Sequence, residues 1–443
     1  MKCSLIFLYF FGLLPLSLFA QEGTGSLSLE QALQTALTNN LQVRQRQLSL
    51  QGSQVDYRQA KSNLLPTINA SISHGINQGR SIDPFTNTYV NQELKYGSYG
   101  VGGSLLLFGG LSQQNAIRQT SLARDAAGQE LQQARDNLSL EVMLAYLQVL
   151  SNEDLVEVAG NQVAVTQQQV DRLQVLLKQG AIGPPQLAEM SGQLKTEELA
   201  LLNARQTLEV SKLALAQLMN VPYTPSLQLE RIEVSELVMR ESAATTADAV
   251  YEASMGQLAL VKAARLRSRS AQAGVRSLWG NFSPSLFLFG NLNTNYSSAA
   301  TINGEQIYYD AQLRNNLFSN VGLLLRIPIL NGFDSHNQLR RAKLELQDVN
   351  LQEEGVLVQL RQDVEQAQLN RDNARERYQL LEEQQSAFAE AFRAAEIRFN
   401  AGAGTPVDYL IAKNNADRSR INLLMAKYDY VLRQKVLDFY RGK

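Results

Sequence analysis

Residues 64–77 read LLPTINASISHGIN, and the period of the chain changes within them. Upstream, from Ser28 to Asn63, there is no proline and apolar residues recur at helical spacing, with Ser28 and Gln31 placed as a capping box. Pro66 ends this helix, because it lacks an N–H and biases the residue before it towards extended backbone. Downstream the pattern alternates. Ile68, Ala70, Ile72 and Ile76 point one way, and Thr67, Asn69, Ser71, Ser73 and Asn77 point the other. A second alternating run sets Tyr99, Val101, Leu105 and Leu107 against Gly100, Gly102 and Ser104, and stops at Gly109-Gly110. Each run is about ten residues long, enough to cross a bilayer when tilted. Each has one apolar face and one small, polar face, as lipid and lumen would require.

The pattern occurs twice. Glu30, Val43, Arg58, Asn63 and Pro66 match Asp248, Val261, Arg276, Asn281 and Pro284 at an offset of 218 residues. Beyond Tyr96 the offset becomes 222, pairing Gly110, Arg118, Val142, Gly180 and Pro184 with Gly332, Arg340, Val364, Gly402 and Pro406. A short insertion between the strands of the second copy accounts for the change, where a loop absorbs it at little entropic cost. The chain divides into residues 21–220, a linker at 221–246 and a second repeat at 247–443. In the second copy Leu286, Leu288 and Leu292, then Val321, Leu323, Leu325, Ile327 and Ile329, form the apolar face, opposite Asn320, Gly322 and Arg326.

Each strand pair is followed by a proline-free stretch, Leu111 to Gln179 and Phe333 to Phe399. As continuous helices of about 70 residues they would reach on the order of 100 Å, far longer than an ordinary globular helix. Glycine-rich turns at residues 180–183 and 401–404 reverse the chain into returning helices from Pro185 and Pro406.

Composition excludes several functions. Of 443 residues, 19% are charged and the formal net charge is −1, so there is no basic surplus for nucleic acid. Two histidines (His74, His336) and one cysteine (Cys3) leave no Cys/His metal site and no disulfide framework. No catalytic constellation and no cofactor motif stands out. The glycines at 97, 100, 102 and 103 lie in a strand and do not precede a phosphate-cradling helix. The first 20 residues, with Lys2, an apolar run and Ala20, read as a secretory signal cleaved after Ala20. The alternative reading, a membrane anchor, is opposed by Gly12 and Pro15 within the run.

One chain supplies four strands, whereas a membrane barrel needs about eight or more and tolerates no open edge in lipid. The chain must therefore oligomerise: two copies would give about eight strands with an interior filled by side chains, and three would give about twelve and leave room for a channel. The polar long helices would project from the membrane as a tube. A soluble periplasmic coiled-coil scaffold or adaptor is the competing reading, but it leaves the bilayer-length apolar faces unused.

These residues resemble the TolC family of outer-membrane efflux proteins. The resemblance is carried by SLSLEQALQTALTNN at 26–40, LLPTINASIS at 64–73, LLLFGG at 105–110, and the paired turns KQGAIGPPQLAE at 178–189 and FNAGAGTPVDYL at 399–410. It implies a mostly α fold with membrane β-strands: a homotrimer with a twelve-stranded barrel in the outer membrane of a Gram-negative bacterium, and a long periplasmic helical barrel. It also implies docking to a periplasmic adaptor and an inner-membrane pump, as in tripartite efflux or type I secretion, with passage of substrate and no chemistry.

The resemblance places Asp408 at the first acidic position of a tip constriction, while the second acidic position falls on Ile411. Three copies of Asp408 would form a cation-selective ring; the alternative is a first-turn carboxylate favoured by the helix dipole. Gly180, Gly183, Gly402 and Gly404 are expected to make the tip turns and to face an adaptor. Arg326 is expected in the lumen or at the barrel rim. Trp279 and Phe282 are expected at the membrane interface, with helix packing as the alternative for Trp279.

Overall fold

The computed structural model describes residues 26–83, 87–91, 93–232 and 246–442; the signal segment lies outside them. The chain opens with α1 (Leu29–Asn39) and α2 (Leu41–Ser62), where one continuous helix was expected. The capping box is present, with Ser28 N donating to Gln31 Oε1 at 3.0 Å and Gln31 N donating to Ser28 Oγ at 3.2 Å. The break comes at Asn40, whose extended backbone and side chain cap α2 by accepting from Gln42 N and Val43 N. The second copy breaks at the equivalent point, between α5 (Ala247–Gln257) and α6 (Ala259–Trp279).

Strand β1 (Thr67–Asn77) is followed by a small hairpin, β2 (Arg80–Ile82) with β3 (Tyr89–Asn91), and then by β4 (Leu94–Gly109). The second copy supplies β5 (Ser285–Ser297), the short pair β6 (Thr301–Ile302) and β7 (Glu305–Gln306), helix α7 (Tyr309–Asn315), and β8 (Phe318–Arg326). The main sheet is antiparallel in the order β1-β4-β5-β8. At its lower end a bulge between Leu106 and Phe108 brings Phe108 opposite Leu286 and leaves Leu107 without a partner on β5.

Helix α7 occupies what was expected to be a plain loop. It covers the edge of β5 beyond the end of β8. Gln312, fully buried, accepts from Ser297 N and donates to Ser297 O, both at 2.9 Å, as a neighbouring strand would.

The long helices α3 (Ser112–Lys178) and α8 (Asp334–Asn400) each run 67 residues without interruption. Leu111 and Phe333, expected as their first residues, instead adopt left-handed backbone with φ of 63° and 62°. They follow Gly110 and Gly332, which are also left-handed, and two such residues in succession turn the strand sharply into the helix. At Gly110 a Cβ would fall 2.5 Å from Ser283 Cβ, so glycine is required there by space as well as by conformation.

Helices α4 (Pro184–Met219) and α9 (Pro406–Tyr440) return along α3 and α8. Near the sheet the contacts run α2–α3–α6–α8; towards the far turns they run α4–α3–α9–α8. At both levels one chain therefore presents four helices side by side. The largest core cluster joins α1, α2, α3, α4 and α9 around Val142, Tyr146, Leu215 and Val431. No helix among the described residues is long and apolar enough to cross a membrane.

Candidate functional site

The sheet separates two surfaces. Ile68, Ile72, Val321, Leu323 and Leu325 lie on one face, and Ile72 and Val321 are 79% and 77% exposed. On the other face Asn69, Asn291, Asn293 and Asn320 align across the strands with Gly100 and Gly102. A Cβ at Gly100 or Gly102 would strike the side-chain oxygen of Asn293 or Asn291, so the glycine-rich strand leaves space for amides. The two faces are those expected of a lipid-facing and a lumen-facing wall.

His74 shares the face of Ile72. Its Nδ1 lies 3.1 Å from the Tyr99 hydroxyl, which in turn lies 2.9 Å from that of Tyr309, and its ring stacks on Tyr296. His336 packs edge-on against Phe282 at 4.9 Å. No cluster of metal-ligating side chains occurs among the described residues. Trp279 is the last residue of α6 and is half exposed. It lies 5.6 Å from the Phe282 ring, with Lys343 Nζ 5.3 Å from its own ring centroid. Both aromatics therefore sit at the junction of helices and strands. Arg326 ends β8 opposite Ser285, on the polar face, with its guanidinium over the Phe287 ring.

At the far turns, Gly180 and Gly402 both have φ of 72° and close α3 and α8. Ala181 N donates to Leu176 O at 2.9 Å and Ala403 N to Arg398 O at 2.9 Å, the six-to-one bond of a left-handed helix end. The other two glycines behave differently. Gly183 has extended backbone and is the N-cap of α4, with open space on most sides, so it is not needed for a tight turn. Gly404 has no left-handed φ, but a Cβ there would lie 3.1 Å from Phe399 N.

Asp408 is exposed in the first turn of α9. Its N–H donates to Thr405 Oγ1 at 3.1 Å and its carboxylate accepts from the same hydroxyl at 2.7 Å. Thr405 and Asp408 thus close a helix cap, while the carboxylate remains in contact with water.

Behind this turn lies a buried group that residue-by-residue reading of the sequence missed. Lys413 Nζ lies 2.7 Å from Glu197 Oε1 and 2.5 Å from Asp417 Oδ2. Gln193 bridges Glu197 to Asn414. Tyr409, fully buried, packs between Phe392 and Phe399. Burial, reinforced by the charges of Glu396, Asp417 and Glu197, pushes its hydroxyl up to about 12. The Lys413–Asp417 spacing of i,i+4 was visible in sequence as a helical pair; nothing local pointed to Glu197. Arg172 near the end of α3 also reaches the Asn400 side chain and, at 3.3 Å, its carbonyl.

The profile of the Outer membrane efflux protein family matches residues 32–221 and 251–443. The outer membrane protein TolC of Vibrio cholerae is 24% identical over 387 residues, covering 84% of this chain and 81% of that protein. Among solved structures, CusC, described as forming a transmembrane channel, superposes with a TM-score of 0.80 at 16% identity over 99% of each chain. The outer membrane protein VceC of Vibrio cholerae gives 0.75 at 18% identity, covering 94% of this chain and 96% of its own. Fold, wall polarity and the family match over both halves agree: the chain belongs to the outer membrane efflux protein family and is an outer-membrane exit duct with a helical extension into the periplasm.

Proposed function

We propose that three copies of the chain close into one duct that docks to a periplasmic adaptor and an inner-membrane pump and passes their cargo outwards without chemistry. One observation carries this reading. The main sheet ends in two unpaired edges, β1 and β8, while its outer face is apolar over bilayer length. Lipid cannot satisfy those edge N–H and C=O groups, so β1 of one copy must meet β8 of the next. The helical wall supports the same closure. Its end helices carry exposed apolar stripes at heptad spacing, Leu41, Leu48 and Val55 on α2 and Leu344, Leu351 and Val358 on α8.

In this reading residues 21–220 and 247–443 are the two repeats, joined through 221–246. The turns at Gly180, Gly183, Gly402 and Gly404 form the adaptor-facing end, and Asp408 forms a ring at the constriction. Trp279 and Phe282 sit at the periplasmic membrane interface. A soluble scaffold would expose Ile72 and Val321 to water with no use for them.

The test is the native mass of detergent-extracted protein. A detergent-dependent trimer is expected; a monomer or dimer stable in plain buffer would overturn the duct.

A further inference from the structure

In the four strands β1, β4, β5 and β8 there is no carboxylate, and the two formally charged side chains are Lys95 and Arg326. Lys95 lies opposite Ile76, on the apolar face. Arg326 is therefore the one cation on the polar face of these strands.

Its surroundings break the polar pattern. Leu106, Phe287 and Leu324 lie directly across from one another on three adjacent strands. Phe289 lies opposite Gly322, where a Cβ would come within 2.7 Å of its ring. The Arg326 guanidinium is 5.3 Å from the Phe287 ring centroid. Further along, the same face is lined by neutral Asn291, Asn293 and Asn320. The helix-proximal end of the sheet thus carries an apolar, aromatic band with one cation per chain, below a neutral amide-lined section.

We propose that this band is a recognition collar for amphipathic anions, the apolar body resting on Phe287, Phe289 and Leu324 and the acid group on Arg326. The proposal rests on the duct reading, since only closure by further copies wraps this face around a lumen. A guanidinium is weakly hydrated, stacks on aromatic faces and offers two parallel donors to a carboxylate or sulfonate. With no carboxylate on the strands to neutralise it, and a ring beneath it to exclude water on one side, it is available to a passing anion. The amide-lined section beyond offers no competing charge and would let the anion leave.

The collar is reached from the barrel side without crossing the distant turns, so current block from that side tests it. Anilinonaphthalenesulfonate and its uncharged analogue phenylnaphthylamine would be added to planar bilayers containing wild-type protein, Arg326→Gln, Arg326→Lys and Phe287→Ser. The sulfonate is expected to block wild type at a concentration about tenfold lower than Arg326→Gln, the loss of a charged hydrogen-bond partner. Arg326→Lys should lie between them. Phenylnaphthylamine block should ignore Arg326→Gln and weaken in Phe287→Ser. Equal sulfonate block of wild type and Arg326→Gln, in channels that conduct, would overturn the collar and leave the duct standing. Absence of current from reconstituted wild type would overturn both.

Discussion

Lys413 of α9 and Glu197 of α4 meet at 2.7 Å with side chains 2% and 8% exposed, joining the two repeats just behind their turns. Burying both charges is costly, and their mutual attraction offsets that cost only while both are present. Asp417, on the wetter side of the lysine, completes the group.

Lys413→Met should therefore destabilise the protein by about 3–5 kcal/mol, because it leaves Glu197 charged, buried and unpaired. Adding Glu197→Leu should recover most of that loss. Unfolding midpoints of the detergent-solubilised protein, arranged as a double-mutant cycle, provide the measurement. Additive losses in the double variant would show that the pair is not coupled.

Thr405 and Asp408 separate capping from selectivity. Thr405→Ala removes the hydroxyl that both accepts and donates and should cost about 1 kcal/mol of stability, with ion preference unchanged. Asp408→Asn should retain much of the cap yet reduce the preference for cations, read as a shift in reversal potential under a salt gradient. An unchanged reversal potential would leave Asp408 as a capping residue alone.

The paired turns give an internal control. Gly180→Ala and Gly402→Ala force a side chain into left-handed backbone and should each cost about 1–2 kcal/mol. Gly183→Ala should be close to neutral, since Gly183 is extended at φ −91°. Thermal unfolding of the three variants side by side decides it; a Gly183→Ala loss matching the others would contradict the assigned turn geometry.

Tyr146 links the start of the chain to the connecting segment. Its buried hydroxyl lies 2.8 Å from Leu27 O and 2.7 Å from Glu230 O. Burial first, and the Glu230 charge second, push it up to about 12 from an ordinary value of 10.0. A raised folded-state value means that its stabilising contribution is complete below pH 10 and is lost as pH rises towards about 12. Tyr146→Phe should lower stability at neutral pH by about 0.5–1.5 kcal/mol and flatten the alkaline loss across that window. An identical alkaline slope in the variant would count against this assignment.

Much of this architecture was legible in the residues because its signals are local. Alternation from Thr67 to Asn77, proline at 66 and 284, and the absence of proline along α3 and α8 each act within a few residues. The Ser28–Gln31 cap is equally local, and duplication repeated every signal at a constant offset. What escaped had weaker or more distant causes. Asn40 divides the first helix through its own side chain, a cap signal hidden inside a helical pattern, and at Leu258 no side chain announces the matching break. The bulge at Leu107 depends on how β4 meets β5, and α7 exists because β8 stops before β5 does.

By itself, then, the sequence determined the two repeats, the four strands with one apolar face, the long helices and the membership of a duct family. The repeats, strands and helices follow from periodicity and from backbone limits on proline and glycine, whereas the family was carried by the resemblance of the ordered, duplicated motifs. The tertiary structure alone decided which side chains share an environment. Lys413 meets Glu197 across the repeats, Tyr146 holds two remote carbonyls, and Arg326 settles over Phe287 within an apolar band. Such encounters depend on strand register and helix packing over long stretches of chain, and spacing along one segment carries no record of what packing brings opposite it.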